Sequence, residues 1–167
     1  RQYAGTGLHV TVLSKKRAAY TVVQVTLPAT APGATRACVS EGIHPEEERQ
    51  SMPQGQGFLA WAAGNKDFRR NFDLTMLFTL APSNPRRDAL PQARRRLIRG
   101  RDLNRTFAPG REIPETRLLA KAVAAKQFDV FVDLHADDRL QGFLLVNESG
   151  GKRHDAWNLL SRALAAL

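Results

Sequence analysis

The chain has one cysteine, Cys38, in 167 residues, so no disulfide can form within it. It has no run approaching the roughly 18 apolar residues that a membrane-spanning helix needs, and no secretory signal precedes its first strand-like stretch. A membrane partner is therefore not expected, and the expected location is the cytoplasm. Internal repeats and low-complexity segments are also lacking, which excludes solenoids and arrays. Aromatic residues make up only 7% of the chain, too few for an extended base-stacking surface. The hydrophobic content of 43% and charged content of 25% are those of an ordinary globular protein, and the length suits one domain, 1–167, with a real core.

Positive charge is in excess, at a net +9, and it is unevenly spread. Eight arginines fall between Arg86 and Arg105. Such a stretch invites a polyanion reading. Yet few aromatics interleave with these arginines, and no nucleic-acid-binding motif accompanies them. Small anionic substrates account better for some of them, and solvation accounts for the rest. A basic nucleic-acid or polyanion-binding module built on 86–111 stands as the rival reading from another functional class.

Alternating polarity at Leu8–Leu13 and Tyr20–Leu27, with a polar turn at Lys15–Arg17, predicts a β-hairpin. Thr35–Ser40 and Asp73–Leu80 read as further strands. Glu46 to about Gly64 reads as helical in part, interrupted by Pro53, Gly55 and Gly57, with Phe58–Ala63 as its apolar face. A basic, loop-rich stretch follows from Arg86 to Arg111. Pro114 and Glu115 open a helix to about Lys126. Phe128–Leu134 and Phe143–Val146 read as strands, and Asp155–Leu167 as an amphipathic helix. Strands alternating with helices predict an α/β fold: a mixed sheet, parallel at its centre, with helices on both faces. Ligands in such folds bind beyond the carboxyl ends of the strands.

Two histidines stand at such ends. The stretch Thr35–Glu48, TRACVSEGIHPEEE, climbs through apolar residues to Gly42 and Ile43, then breaks at His44 and Pro45. His44 and Glu47 are three apart, so one turn can aim both at a point, and imidazole and carboxylate are ligand types that zinc prefers. Glu46 and Glu48 compete for the carboxylate role. The second strand end, FDVFVDLHADD, carries Asp133 and His135. Between them lies GRDLNRTFAPG, with Asp102, Asn104 and Arg105. Asp102 reads either as a turn cap or as a carboxylate behind a metal ligand. Asp133 reads as another such carboxylate or as a plain strand-end acid. Cys38, inside an apolar run, reads as a buried structural thiol, and His9 and His154 have no ligand context.

Together and in order, these three stretches resemble the zinc carboxypeptidase superfamily, most closely its succinylglutamate desuccinylase/aspartoacylase branch. The resemblance covers roughly Val39 to Val146. It implies one Zn2+ per chain held by His44, Glu47 and His135, with only Glu47 meeting the family spacing. It implies that Asn104 and Arg105 clamp a substrate carboxylate, that Arg96 steadies the oxyanion, and that Asp102 supports a zinc-bound histidine. Arg94, Arg95 and Arg99 lie close enough to share the Arg96 register. Pro45 replaces the glycine usual in the family after the first histidine.

The implied chemistry is metal-assisted hydrolysis of an amide in a small anionic substrate, of the N-acyl amino acid (deacylase) type. A metallocarboxypeptidase acting on peptides or cell-wall fragments is the alternative within the family. The family's general base is a glutamate well downstream of the third ligand. No glutamate after His135 fits, since Glu148 follows a strand in a turn. The chain is thus expected to be the N-terminal and central part of a catalytic domain, truncated at its C-terminus. Its oligomeric state is not legible.

Overall fold

The computed structural model describes residues 7–14, 20–44, 48–80, 97–98, 101–107 and 109–135, with the backbone alone for 48–52 and 97–98. All of these belong to the unit Arg1–Asp137. The strand expected at Phe143–Val146, the helix at Asp155–Leu167, the turn at Lys15–Arg17 and most of the arginine-rich stretch lie outside the described residues.

The expected hairpin forms. Strand β1 (His9–Val12) pairs antiparallel with β2 (Thr21–Leu27), His9 opposite Thr26 and Val12 opposite Val23. Strand β3 (Thr35–Glu41) leads through helices α1 (Glu48–Gly64) and α2 (Lys66–Asn71) to β4 (Phe72–Leu80). A two-stranded ribbon of β5 (Leu97–Ile98) and β6 (Arg101–Asp102) precedes a 3-10 turn at Leu103–Arg105. Helix α3 (Pro114–Ala124) and strand β7 (Val130–Leu134) follow. The main sheet has five strands in the order β1-β2-β4-β3-β7. β4, β3 and β7 run parallel, whereas β2 is antiparallel to β4. This is the expected mixed α/β sheet with a parallel centre.

Strand alternation divides the core in two. Val22, Cys38 and Leu77 face one side, where they meet Leu103, Ile113 and Leu119 of α3 and its approach. Val25, Val39, Leu74, Met76 and Phe78 face the other, against Leu59, Ala62 and Ala63 of α1. Helices therefore cover both faces. The middle of β4 is buried on both sides, which is why DLTMLFTL reads as an almost unbroken apolar run. No helix among the described residues is long and apolar enough to cross a membrane.

One expectation is corrected. α1 is continuous through Pro53, Gly55 and Gly57. Pro53 does cost the helix one N–H bond, but packing of Leu59, Ala62 and Ala63 on the sheet outweighs that local loss. Gly55 has a positive reason for being there: a Cβ at this position would run into the carboxylate of fully buried Glu41. Helix α2 was not foreseen. It is six residues long and polar, and is set by Asn65, whose side chain accepts from the Phe68 N–H at 2.9 Å.

β3 and β7 are latched at their amino ends. Arg36 meets Asp129 with two side-chain bonds of 3.2 and 3.1 Å, and its backbone N–H donates to the same carboxylate at 2.8 Å. The pair holds the Asp129 carboxyl below its usual range, chiefly through the Arg36 guanidinium. A carboxyl depressed in this way stabilises the fold above the ordinary aspartate pKa, and that contribution is lost as pH falls through the lower folded value. The stability difference between wild type and Asp129→Asn should therefore shrink as the solution is acidified from pH 7, as followed by thermal unfolding midpoints.

Candidate metal centre

The sheet register brings the two histidine corners together. Ser40 lies opposite Asp133 and Glu41 opposite Leu134 on adjacent parallel strands, so both strands end at the same edge. Beyond Glu41 the chain turns at Gly42, whose φ of +79° favours glycine. Ile43 then plugs into the α3-side core, and His44 follows, 8% exposed. His135 directly follows the last residue of β7. The two imidazole centroids are 5.1 Å apart, with the rings inclined at 52°. Two imidazoles on one tetrahedral zinc, each at about 2.0–2.1 Å, hold their nitrogens about 3.3 Å apart. Rings at this separation can meet that requirement.

Each imidazole has a carboxylate behind it. His44 Nε2 lies 3.1 Å from Asp102 Oδ1, and His135 Nε2 lies 2.9 Å from Asp133 Oδ2. In the neutral rings this places the proton on Nε2 and the lone pair on Nδ1. A histidine whose second nitrogen donates to a carboxylate is the usual arrangement around a protein-bound metal.

Asp102 caps the turn and also contacts His44. Its Oδ1 accepts from His44 and also from the Asn104 N–H at 2.9 Å, which caps the 3-10 turn. The β5–β6 ribbon delivers Asp102 to this place. Leu103 anchors the turn from below, fully buried. Thr106 donates back to the Leu103 carbonyl at 2.8 Å, and the Thr116 hydroxyl of α3 donates to the Thr106 carbonyl at 3.0 Å. Asn104 and Arg105 are exposed on this braced turn. They are therefore held on a rigid element, next to the carboxylate that contacts His44.

Glu47 and Arg96 lie outside the described residues, as do Glu46, Arg94, Arg95 and Arg99. Among the described residues no group of three or more His, Cys, Asp or Glu is placed to hold a metal ion. The donor set still fits zinc in kind: two imidazoles with matched tautomers, each backed by a carboxylate, at one sheet edge.

Sequence reasoning missed one group, Ser40, whose hydroxyl donates to Asp133 Oδ1. Its signal lies in the register, four residues before one histidine and opposite a residue two before the other. Cys38, by contrast, is buried as expected. Burial pushes its thiol up to about 12, against a smaller downward pull from Lys126. The protonated, enclosed thiol should resist a disulfide reagent in the native protein at pH 8, and react fully once the chain is unfolded.

No protein-family model and no curated protein matches the sequence. Solved structures do match. A metallo-carboxypeptidase from Burkholderia cenocepacia superposes with a TM-score of 0.56 at 19% identity, over 83% of this chain and 39% of that one. A predicted carboxypeptidase from Burkholderia mallei gives 0.54 at 18% identity, over 80% of this chain and 36% of that one. The fold is thus of the carboxypeptidase kind, and the chain spans well under half the length of these two structures.

Proposed function

We propose that this chain is the ligand-bearing part of a zinc-dependent hydrolase that cleaves an amide bond in a small substrate carrying a carboxylate, of the N-acyl amino acid type. The observation that supports it most is the convergence of His44 and His135 at 5.1 Å, each backed by an aspartate, at the carboxyl ends of neighbouring parallel strands. His44, Glu47 and His135 would hold one Zn2+. When bound, the ion supplies Lewis-acid polarisation of the scissile carbonyl and acidifies the attacking water.

The chain's own residues do the rest. Asn104 and Arg105 receive the substrate carboxylate, for which the guanidinium fork is geometrically suited. The braced turn beneath them limits their loss of freedom on binding. Arg96 donates to the developing oxyanion. Asp102 keeps the His44 ring in its ligating tautomer. A peptide substrate is the second reading, favoured because both structural neighbours carry the name carboxypeptidase.

Hydrolysis of an N-acyl amino acid, of the same compound with its carboxylate amidated, and of a peptide with a free C-terminus tests the proposal in the protein that carries this chain. The free acid should be cleaved and the amidated form should not. Arg105→Ala should lower kcat/KM on the acid roughly 10- to 100-fold, the range for losing a hydrogen bond to a charged group. Arg105→Lys should recover little of it. Faster cleavage of the peptide favours the second reading. Inactivity toward all three, with salt-sensitive DNA binding, favours the polyanion module.

A further inference from the structure

We propose that Ser40 and Asp133 form a positioning pair that sets the orientation and tautomer of His135, and so tunes how tightly the chain holds its metal ion. This rests on the zinc reading above. Ser40 is 3% exposed on β3, directly opposite Asp133 on β7. Its hydroxyl donates to Asp133 Oδ1, while Asp133 Oδ2 faces His135 Nε2 at 2.9 Å. One carboxylate is thus held at both oxygens, by a buried hydroxyl on one side and an imidazole on the other.

Without Ser40 the Asp133 side chain could rotate about its χ angles. With it, the carboxylate plane is fixed, and the His135 ring with it. The arrangement parallels the other corner, where the Asn104 N–H steadies Asp102 against His44. The two corners use different groups for the same end, so they should be separable by mutation. Ser40 and Asp133 are positioning residues: neither is argued to touch metal or substrate.

Zinc affinity of the full chain, measured by competition with a chromophoric chelator, tests the pair. Loss of an outer partner of a metal ligand costs about 10- to 100-fold in affinity, so Asp133→Ala should fall in that range. Ser40→Ala, one step further out, should lose about three- to tenfold, and Ser40→Thr should recover it. The double variant Ser40→Ala/Asp133→Ala should bind zinc like Asp133→Ala alone, because the hydroxyl acts through that carboxylate. Combined with Asp102→Ala, the Ser40→Ala loss should instead add in full. A general structural defect would not produce this contrast.

The ring 15N shifts of His135 in metal-free chain at pH 8 give a second readout. They should report the Nε2–H tautomer in wild type and a mixture in Asp133→Ala. If Ser40→Ala does not fold, Asp133→Asn, which keeps the shape and removes the charge, carries the test with an expected loss of at least tenfold. Wild-type affinity in Ser40→Ala and Asp133→Asn alike, or a Ser40→Ala loss that adds fully to Asp133→Ala, overturns the pair while leaving the zinc reading standing. A wild-type chain that takes up no zinc overturns both.

Discussion

Replacing His135 with alanine should weaken zinc binding by more than about 100-fold, beyond the 10- to 100-fold cost of losing an outer partner, and should abolish any hydrolysis that depends on the ion. The side chain follows the end of β7 rather than sitting in the core, and is 36% exposed. Its removal should leave the unfolding midpoint of the metal-free chain nearly unchanged. His44→Ala should show the same loss of zinc with a larger effect on stability, because His44 is 8% exposed and sits just after the core residue Ile43. His9→Ala is the control: His9 is an exposed residue of β1, and its removal should change neither quantity. Equal zinc affinity in wild type and His135→Ala would remove the metal centre from this sheet edge.

Replacing Gly42 with alanine should be among the most damaging single-methyl additions in the protein. Gly42 has φ near +79°, a region that costs an L-residue about 1–2 kcal/mol. A Cβ there would also come within 2.6 Å of the Thr79 carbonyl oxygen. That neighbour is backbone on the central strand β4, so it cannot swing aside. Strain and overpacking together should destabilise the fold by about 2–4 kcal/mol, a large part of the stability of an ordinary domain. Because His44 lies two residues on, zinc affinity should fall as well. Gly57→Ala gives the opposite sign. Gly57 is inside α1 with nothing within 4 Å of an added Cβ, so alanine should stabilise by about 0.5–1 kcal/mol. Denaturant unfolding of the two variants side by side measures both. A neutral Gly42→Ala would mean that the corner does not have this geometry.

The strands were readable because their polarity alternates or their apolar runs are unbroken: YTVVQVTL pairs where its pattern says, and DLTMLFTL is the buried centre. The proline that opens α3 marked its start for the same kind of local reason. What local pattern cannot carry is register. That Ser40 faces Asp133, and that Glu41 and Leu134 end together, is settled by packing between segments far apart in sequence. The Ser40 hydroxyl bond was therefore invisible in a strand that read only as apolar. The β5–β6 ribbon was missed because two-residue strands have no periodicity to detect. The stretch PQGQG looked like a break in α1, although its second glycine, Gly57, faces open space and its first, Gly55, is where the Glu41 carboxylate packs against the helix. Residue types and their order singled out the two histidines and Asp102 as candidates. Their mutual distances needed the fold.

The most direct measurement is the zinc content and zinc X-ray absorption spectrum of the full chain, loaded with zinc and dialysed free of excess ion. The proposed metal centre requires about one zinc per chain, with scattering from two imidazoles and lighter oxygen ligands, and loss of both imidazole signals in the His44→Ala/His135→Ala variant. A chain that retains no zinc, or that holds it with no imidazole in the spectrum, would contradict it.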